Sequence, residues 1–254
     1  MISRYEAYLN GVALSSVSAD ILILDVEYPT PTIRTETFSV ARRQGLRVHR
    51  QYIEKTSVTI SFTIRNYDTR ARQSICGAVA KWAKNGGILT INDRVGQRLR
   101  CVCDTPPMIS SALRWGDTLR LVFVAYSLPF WEEVVPSVLQ LSGTQENGLL
   151  FVPGDVDGAM VEATITANAA LTTVTLGVNN LEMVLSGLSI SSGQSISITY
   201  DDNMIQSIKV GTTSLLNKRT GADDLLVNCG EVNSFSISAD ASVTVNFSVR
   251  WLWL

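Results

Sequence analysis

Ser57-Val-Thr-Ile-Ser-Phe-Thr-Ile-Arg65, then Asn66-Tyr-Asp68, then Thr69-Arg-Ala-Arg-Gln-Ser-Ile-Cys-Gly-Ala-Val-Ala-Lys-Trp-Ala-Lys84, then Asn85-Gly-Gly-Ile-Leu-Thr-Ile91: this run decides the fold. Val58, Ile60, Phe62 and Ile64 alternate with Ser57, Thr59, Ser61, Thr63 and Arg65, the period of a β-strand with one buried and one wet face. Asp68 stands where a carboxylate can accept the free N–H groups of a first helical turn. From Ala71 onward, Ile75, Ala78, Val79 and Trp82 share one helical stripe, with Arg70, Gln73, Lys81 and Lys84 opposite. Asn85-Gly86-Gly87 ends the helix, because glycine takes the left-handed conformation without a Cβ clash. Ile88–Ile91 resumes as a strand. One short helix, anchored by Trp82, should therefore pack on a sheet built from its flanking strands. No reaction can be read from this stretch.

Upstream, Tyr5–Leu9 ends at the turn pair Asn10-Gly11, and Ile21–Val26 is apolar on both faces, as for a strand covered on both sides. Tyr28-Pro29-Thr30-Pro31 breaks it. Thr35–Tyr52 is polar and basic, with a plausible hairpin tip at Gln44-Gly45, and reads as a long charged arm. Downstream, Arg98–Cys103 and Thr118–Tyr126 are strands, with a turn at Arg114-Trp115-Gly116-Asp117, and Pro129-Phe130-Trp131 closes the unit. Residues 136–147 have the composition of a linker. From Gly148 the chain reads as strands and turns only, with Asp201-Asp202-Asn203 a tight hairpin turn. The expected fold is mainly β. Residues 1–135 form a β-sandwich or barrel-like domain with one packed α-helix, and residues 148–254 a β-sandwich of jelly-roll or galectin type.

The charge is near zero overall but unevenly placed: residues 1–136 hold 17 Lys/Arg and 12 Asp/Glu, and residues 137–254 hold 4 and 11. Such asymmetry fits two folding units that attract each other or face different partners; chance placement on solvated surfaces is the bland reading. Cys76, Cys101, Cys103 and Cys229 read as reduced packing residues, since neighbours on one strand face are poorly placed for a disulfide. The start of the chain lacks the apolar region of a secretory signal, and no apolar run is long enough to span a bilayer.

Chemistry finds little support. His49, the sole histidine, lies in the arginine-rich arm with no nucleophile motif nearby and reads as a surface or interface residue. Cys101-x-Cys103 lacks a second pair for zinc, and Asp155-x-Asp157-Gly158 lacks the remaining ligands of a calcium loop. No cofactor, metal or catalytic residue is expected. Arg42, Arg43, Arg47, Arg50 and Tyr52 could contact phosphates, lie on a solvated hairpin, or grip a neighbouring subunit, where arginine pairs fork-like with carboxylates; the last reading is preferred. Trp251 and Trp253 could stack on a sugar ring. They also extend the alternating face Val243, Val245, Phe247 and Val249, so core or subunit contact is the preferred reading.

Taken together, the residues resemble the distal tail proteins of siphophages. The first half matches through Tyr5-Glu-Ala-Tyr-Leu-Asn-Gly11, the charged arm, strand Val58–Arg65, the helix with Trp82 before Gly86-Gly87, the paired strands, and Pro129-Phe-Trp131. The second half matches the family's galectin-like sandwich through Val152-Pro-Gly-Asp155, the hairpin around Asp201-Asp202-Asn203, and the ending Trp251-Leu-Trp-Leu254. The resemblance implies a virion structural protein without enzymatic activity. Six copies would form a ring at the distal end of a non-contractile tail, assembled in the host cytoplasm. The ring would join the tail tube, tape-measure and tip or receptor-binding proteins, and let double-stranded DNA pass without specific binding. The alternative is a carbohydrate-binding module that attaches to host glycans through the C-terminal sandwich.

Overall fold

The computed structural model describes residues 4–39, 46–108 and 114–254. The chain divides into two compact units, residues 1–131 and 132–254. Both are built on antiparallel, curled sheets, and the fold is mainly β.

In the first unit the elements are β1 (Ala7–Leu9), β2 (Val12–Ala13), β3 (Ile21–Glu27), β4 (Thr32–Ser39), β5 (Leu46–Ile64), α1 (Thr69–Ala83), β6 (Gly87–Ile91), β7 (Gln97–Thr105) and β8 (Leu119–Ala125). The order across the sheet is β2-β1-β6-β7-β8-β5-β3, with β4 paired to the far half of β5. The alternation from Val58 to Ile64 holds: Val58, Ile60, Phe62 and Ile64 are buried. Their neighbours on β8, Leu119, Leu121 and Phe123, complete the same inward face. The other face is less wet than its composition suggests, because Ser61 and Thr63 are buried as well. Ser61 is small and lies across from the longer Asp25 on β3 and Arg120 on β8. β3 is an edge strand with a bulge after Ile23, so its expected cover on both sides fails at Leu24, which is exposed.

Asp68 caps α1 as its position suggests, accepting from Arg70 N at 3.1 Å and Ala71 N at 3.3 Å. The buried side of the helix is Arg72, Cys76, Val79 and Ala83, one step round from the apolar stripe. Arg72 explains the rotation. Its guanidinium donates to the carbonyls of Asn66 and Tyr67 at 2.6 and 2.8 Å and to Thr69 Oγ1 at 3.0 Å, so a cation goes inward to satisfy the loop before the helix. Trp82 is half-buried and holds the helix to the sheet by two contacts. Its Nε1–H donates to Val12 O at 3.1 Å, and its ring meets Phe123 edge-on at 6.1 Å. Asp68→Ala is expected to cost the first unit about 1 kcal/mol, read as a fall of a few degrees in its thermal midpoint.

Asn10 locks the helix exit. Its Nδ2 donates to Gly86 O, its Oδ1 accepts from Ile88 N, and its own N–H donates to Ile88 O. The turn pair Asn10-Gly11 and the stop signal Asn85-Gly86-Gly87 are thus two halves of one corner.

The chain passes between the units within β9 (Trp131–Glu133). The second unit continues with β10 (Ser137–Val152), β11 (Ala159–Ala167), β12 (Leu171–Val178), β13 (Leu181–Ile190), β14 (Ser195–Tyr200), β15 (Gln206–Val210), β16 (Thr213–Ser214), β17 (Arg219–Gly221), β18 (Leu226–Val227), β19 (Glu231–Val249) and β20 (Leu252–Trp253). The order is β16-β15-β14-β11-β19-β12-β13-β17, with β10 along β19 and β18 beside β11. One 3-10 turn, Leu216–Lys218, interrupts the strands. The segment 136–147, read as a linker, lies almost wholly within β10. Its polar side chains are compatible with a strand because β10 runs along β19 with most of them in solvent.

Two layers arise because β19 folds over. Phe235 and Phe247 are twelve residues apart, a span of about 40 Å in a straight strand, yet their ring centroids lie 5.0 Å apart. One half of β19 pairs with β12 and the other with β11. At the corner Asp240 accepts from the N–H groups of Thr172 and Thr173 and from the Thr172 hydroxyl. These bonds, the hydroxyl's foremost, hold its carboxyl below the usual carboxylate range. β10 follows the bend through a bulge at Gly143, whose φ is +148°.

Candidate subunit interface

The charged arm is a two-stranded ribbon. β4 pairs with the first half of β5 from Thr32↔Lys55 to Ser39↔Leu46, with bulges after Thr32 and Glu36. The expected tip, Gln44-Gly45, lies outside the described residues, as do Arg42, Arg43 and the side chain of Arg47. The backbone of Arg47 pairs with Phe38.

The register sets the ribbon's chemistry. Glu36 is directly across from Arg50, and Arg34 from Tyr52. Arg50 grips Glu36 with a fork, Nε to Oε2 at 2.8 Å and Nη2 to Oε1 at 3.1 Å. Tyr52 donates its O–H to Glu36 Oε1 at 3.3 Å and lies 5.1 Å beneath the Arg50 guanidinium. Arg34 pairs with Glu54 at 3.1 Å. The Arg50 fork holds the Glu36 carboxyl below its ordinary range. Arg50 and Tyr52, named from the sequence as interface residues, are thus brought together, and within the arm they are already engaged. The apolar side chains of the ribbon are more open: Ile33 is 65% exposed and Val48 60%. Among the described residues the ribbon thus pairs Arg34 with Glu54 and Arg50 with Glu36 and leaves Ile33 and Val48 largely in water.

The root of the arm is held firmly. Arg94 lies between two rings, 4.6 Å from Tyr28 and 4.8 Å from Trp131, and these rings meet edge-on at 5.8 Å. Burial, with the Tyr28 O–H donated to Asp93, pushes that phenol far above its ordinary value. On the returning strand the buried Thr56 donates its hydroxyl to Pro129 O. Sequence reading missed this clamp. Tyr28, Arg94 and Trp131 lie far apart in the chain, and no local pattern marks a cation held between two rings.

Trp251 and Trp253 are placed differently from the sequence reading. The alternation of β19 stops at Val249, and Leu252 is the next buried residue, so the parity shifts by one. Both tryptophans are half-buried rather than extensions of the core face. Trp253 Nε1–H points to Glu133 Oε2 at 3.4 Å, while the buried Trp251 Nε1 has no partner. The neighbouring acidic turn is spent on backbone: Asp155 accepts from Leu254 N and Asp157 from Cys229 N. Among the described residues no group of three His, Cys, Asp or Glu could hold a metal ion, and no helix is long and apolar enough to cross a membrane.

All four cysteines are free. Burial pushes each thiol up, Cys101 to about 12 with help from Cys103. At pH 8 a thiol reagent is therefore expected to label Cys103 first, which is half-buried, and to leave Cys101 unmodified until the chain is denatured, as read by peptide mass.

No family model matches the sequence. No curated protein matches it. Among solved structures, the chain is similar to the Dit protein of phage SPP1, described as a paradigm of the hub adsorption apparatus in phages that infect Gram-positive bacteria. The TM-score is 0.68 at 10% identity, covering 97% of this chain and 98% of that one. Two structures of the phage p2 baseplate in its activated conformation, with Sr and with Ca, match at 9% identity. They cover 97% and 99% of this chain and 97% and 98% of theirs, with TM-scores of 0.43 and 0.44. At this identity the likeness speaks to fold, and over nearly the full length of both chains this protein has the fold of the SPP1 Dit protein.

Proposed function

We propose that the chain is a structural hub protein of a phage tail. Copies of it, six by the family resemblance, close into a ring at the distal end of a long non-contractile tail. The ring joins the tube to the baseplate or tip, contacts the tape-measure and receptor-binding components, and leaves a lumen for DNA. It is assembled in the host cytoplasm and has no enzymatic role. The observation that carries this reading is the shared fold with the SPP1 hub protein across both units and both full lengths. The arm supports it: a clamped ribbon with open aliphatic side chains suits a neighbour in a ring better than it suits solvent. Arg42, Arg43, Arg47, Arg50 and Tyr52 belong to that contact in this reading.

The glycan-binding alternative needs an open aromatic platform. Trp251 and Trp253, which it would use, are half-buried.

Solution mass and negative-stain images of the same sample test the proposal. The expected particle is near six times the 27.7 kDa chain mass, with a central hole. Replacing residues 35–52 by a short glycine-serine turn is expected to leave folded monomers with an unchanged thermal midpoint, because the described residues of this segment pair β4 with β5. An intact ring after that deletion would sink the arm assignment. Assembled particles without a hole would sink the ring.

A further inference from the structure

β10 is hydrogen-bonded along one side only. Its ladder from Ser137 to Val152 is with β19, and no other described strand pairs with it. Every second residue of such a strand turns its N–H and C=O outward, where another strand can take them. Sheet edges are commonly guarded by lysines, prolines or bulges. Here the bulge lies at Gly143/Gln145, and beyond it the stretch Asn147–Val152 contains no Lys, Arg or Pro. Instead Leu149 and Phe151 stand on the open face, 70% and 55% exposed, beside Val232 of β19. Towards Gln145 the same face turns polar through Asn147 and Gln145, while Glu146 takes the alternate position of the strand. Two adjoining cavities, about 370 and 440 Å³, share Asn147 and Ser236, and carry Glu146 and Glu182 on the larger one's wall with no cation in either lining. Neither carboxylate has a hydrogen bond or ion pair among the described residues.

We propose that this edge docks an extended segment of a partner polypeptide. The segment adds as a strand beside Gln145–Phe151, sets apolar side chains against Leu149 and Phe151, and places a lysine or arginine by Glu146. A polypeptide fits better than a glycan, because the free edge offers a row of backbone donors and acceptors next to apolar side chains. A basic partner fits better than the same edge of a second copy. Residues 137–254 carry 11 Asp/Glu against 4 Lys/Arg, and two such edges repel. The inference stands on the second unit alone and does not need the ring.

The probe is the capped octapeptide Lys-Val-Thr-Val-Lys-Val-Thr-Val, added to the full chain and followed by amide hydrogen exchange. Added protection is expected at residues 145–152 and not in β14 or β15. The double variant Leu149→Lys with Phe151→Lys is expected to weaken binding at least about tenfold with an unchanged thermal midpoint, since both side chains are already in water. Glu146→Gln should weaken binding and lessen its dependence on salt. No protection of residues 145–152 at millimolar peptide would overturn the proposal, as would undiminished binding by the lysine pair. Protection that appears without peptide as protein concentration rises would make a second copy the occupant, also against it. So would oligosaccharides that protect this segment where the peptide does not.

Discussion

Gly86→Ala is expected to lower the thermal midpoint of the first unit by roughly 15 °C, from a loss of about 4 kcal/mol. Two costs add. The residue has φ +62°, where an L side chain is disfavoured by about 1–2 kcal/mol. The new Cβ would also stand 2.4 Å from Cys101 O and 2.7 Å from Val102 Cα, so backbone must move rather than a flexible tip. That backbone belongs to β7, which is fixed between β6 and β8. Gly116→Ala is the control. Its φ is +86°, but nothing lies within 4 Å of an added Cβ, so only the conformational cost applies. If the two variants melt within a few degrees of each other, the close approach to β7 is not what demands glycine at 86.

Asn233→Ala is expected to cost the second unit about 3 kcal/mol and to leave the first unit's transition in place. Asn233 is 1% exposed, and its amide is fully wired. Its Oδ1 accepts from Asn179 Nδ2 at 2.8 Å and Asn228 N at 2.9 Å, and its Nδ2 donates to Asn228 O at 2.8 Å and Glu231 O at 3.2 Å. Asn179 passes the link on, accepting from Ser234 N at 3.0 Å. Truncation strands several buried groups at once, and a cavity of this size does not restore all of them with water. Differential scanning calorimetry decides the matter. A single transition that falls as a whole would mean the two units melt together, and a loss under about 1 kcal/mol would mean water replaces the amide.

Much of the first unit was legible because its signals are local. The alternation at Val58–Ile64, the cap at Asp68 and the glycines at the helix exit each describe a few neighbouring residues, and each is found in place. What failed depended on partners far away in sequence. The helix buries Arg72 rather than Ala78 because two loop carbonyls need donors, which no periodicity reports. Residues 136–147 look like a linker because an edge strand need not alternate; its strand character comes from β19, about a hundred residues later. Extending the period past Val249 places Trp251 and Trp253 on the core face, but the chain changes parity there. For the arm, composition pointed to a basic hairpin. Only the register, with its bulge after Glu36, reveals that Arg50, Glu36 and Tyr52 satisfy one another.

β5 is at once the outer strand of the arm and a central strand of the sheet, nineteen residues without a break. Its mechanical meaning follows from direction. A pull on the arm acts along β5, parallel to the strand. In the sheet, β5 lies between β3 and β8, so the load falls on both ladders together, as shear. Hydrogen bonds loaded in parallel must give way as a group, whereas bonds opened from one end fail one at a time. The ribbon is therefore a tether whose anchor is the sheet itself. A force applied along the ribbon is carried by the ladders of β5 with β3 and β8 at the same time.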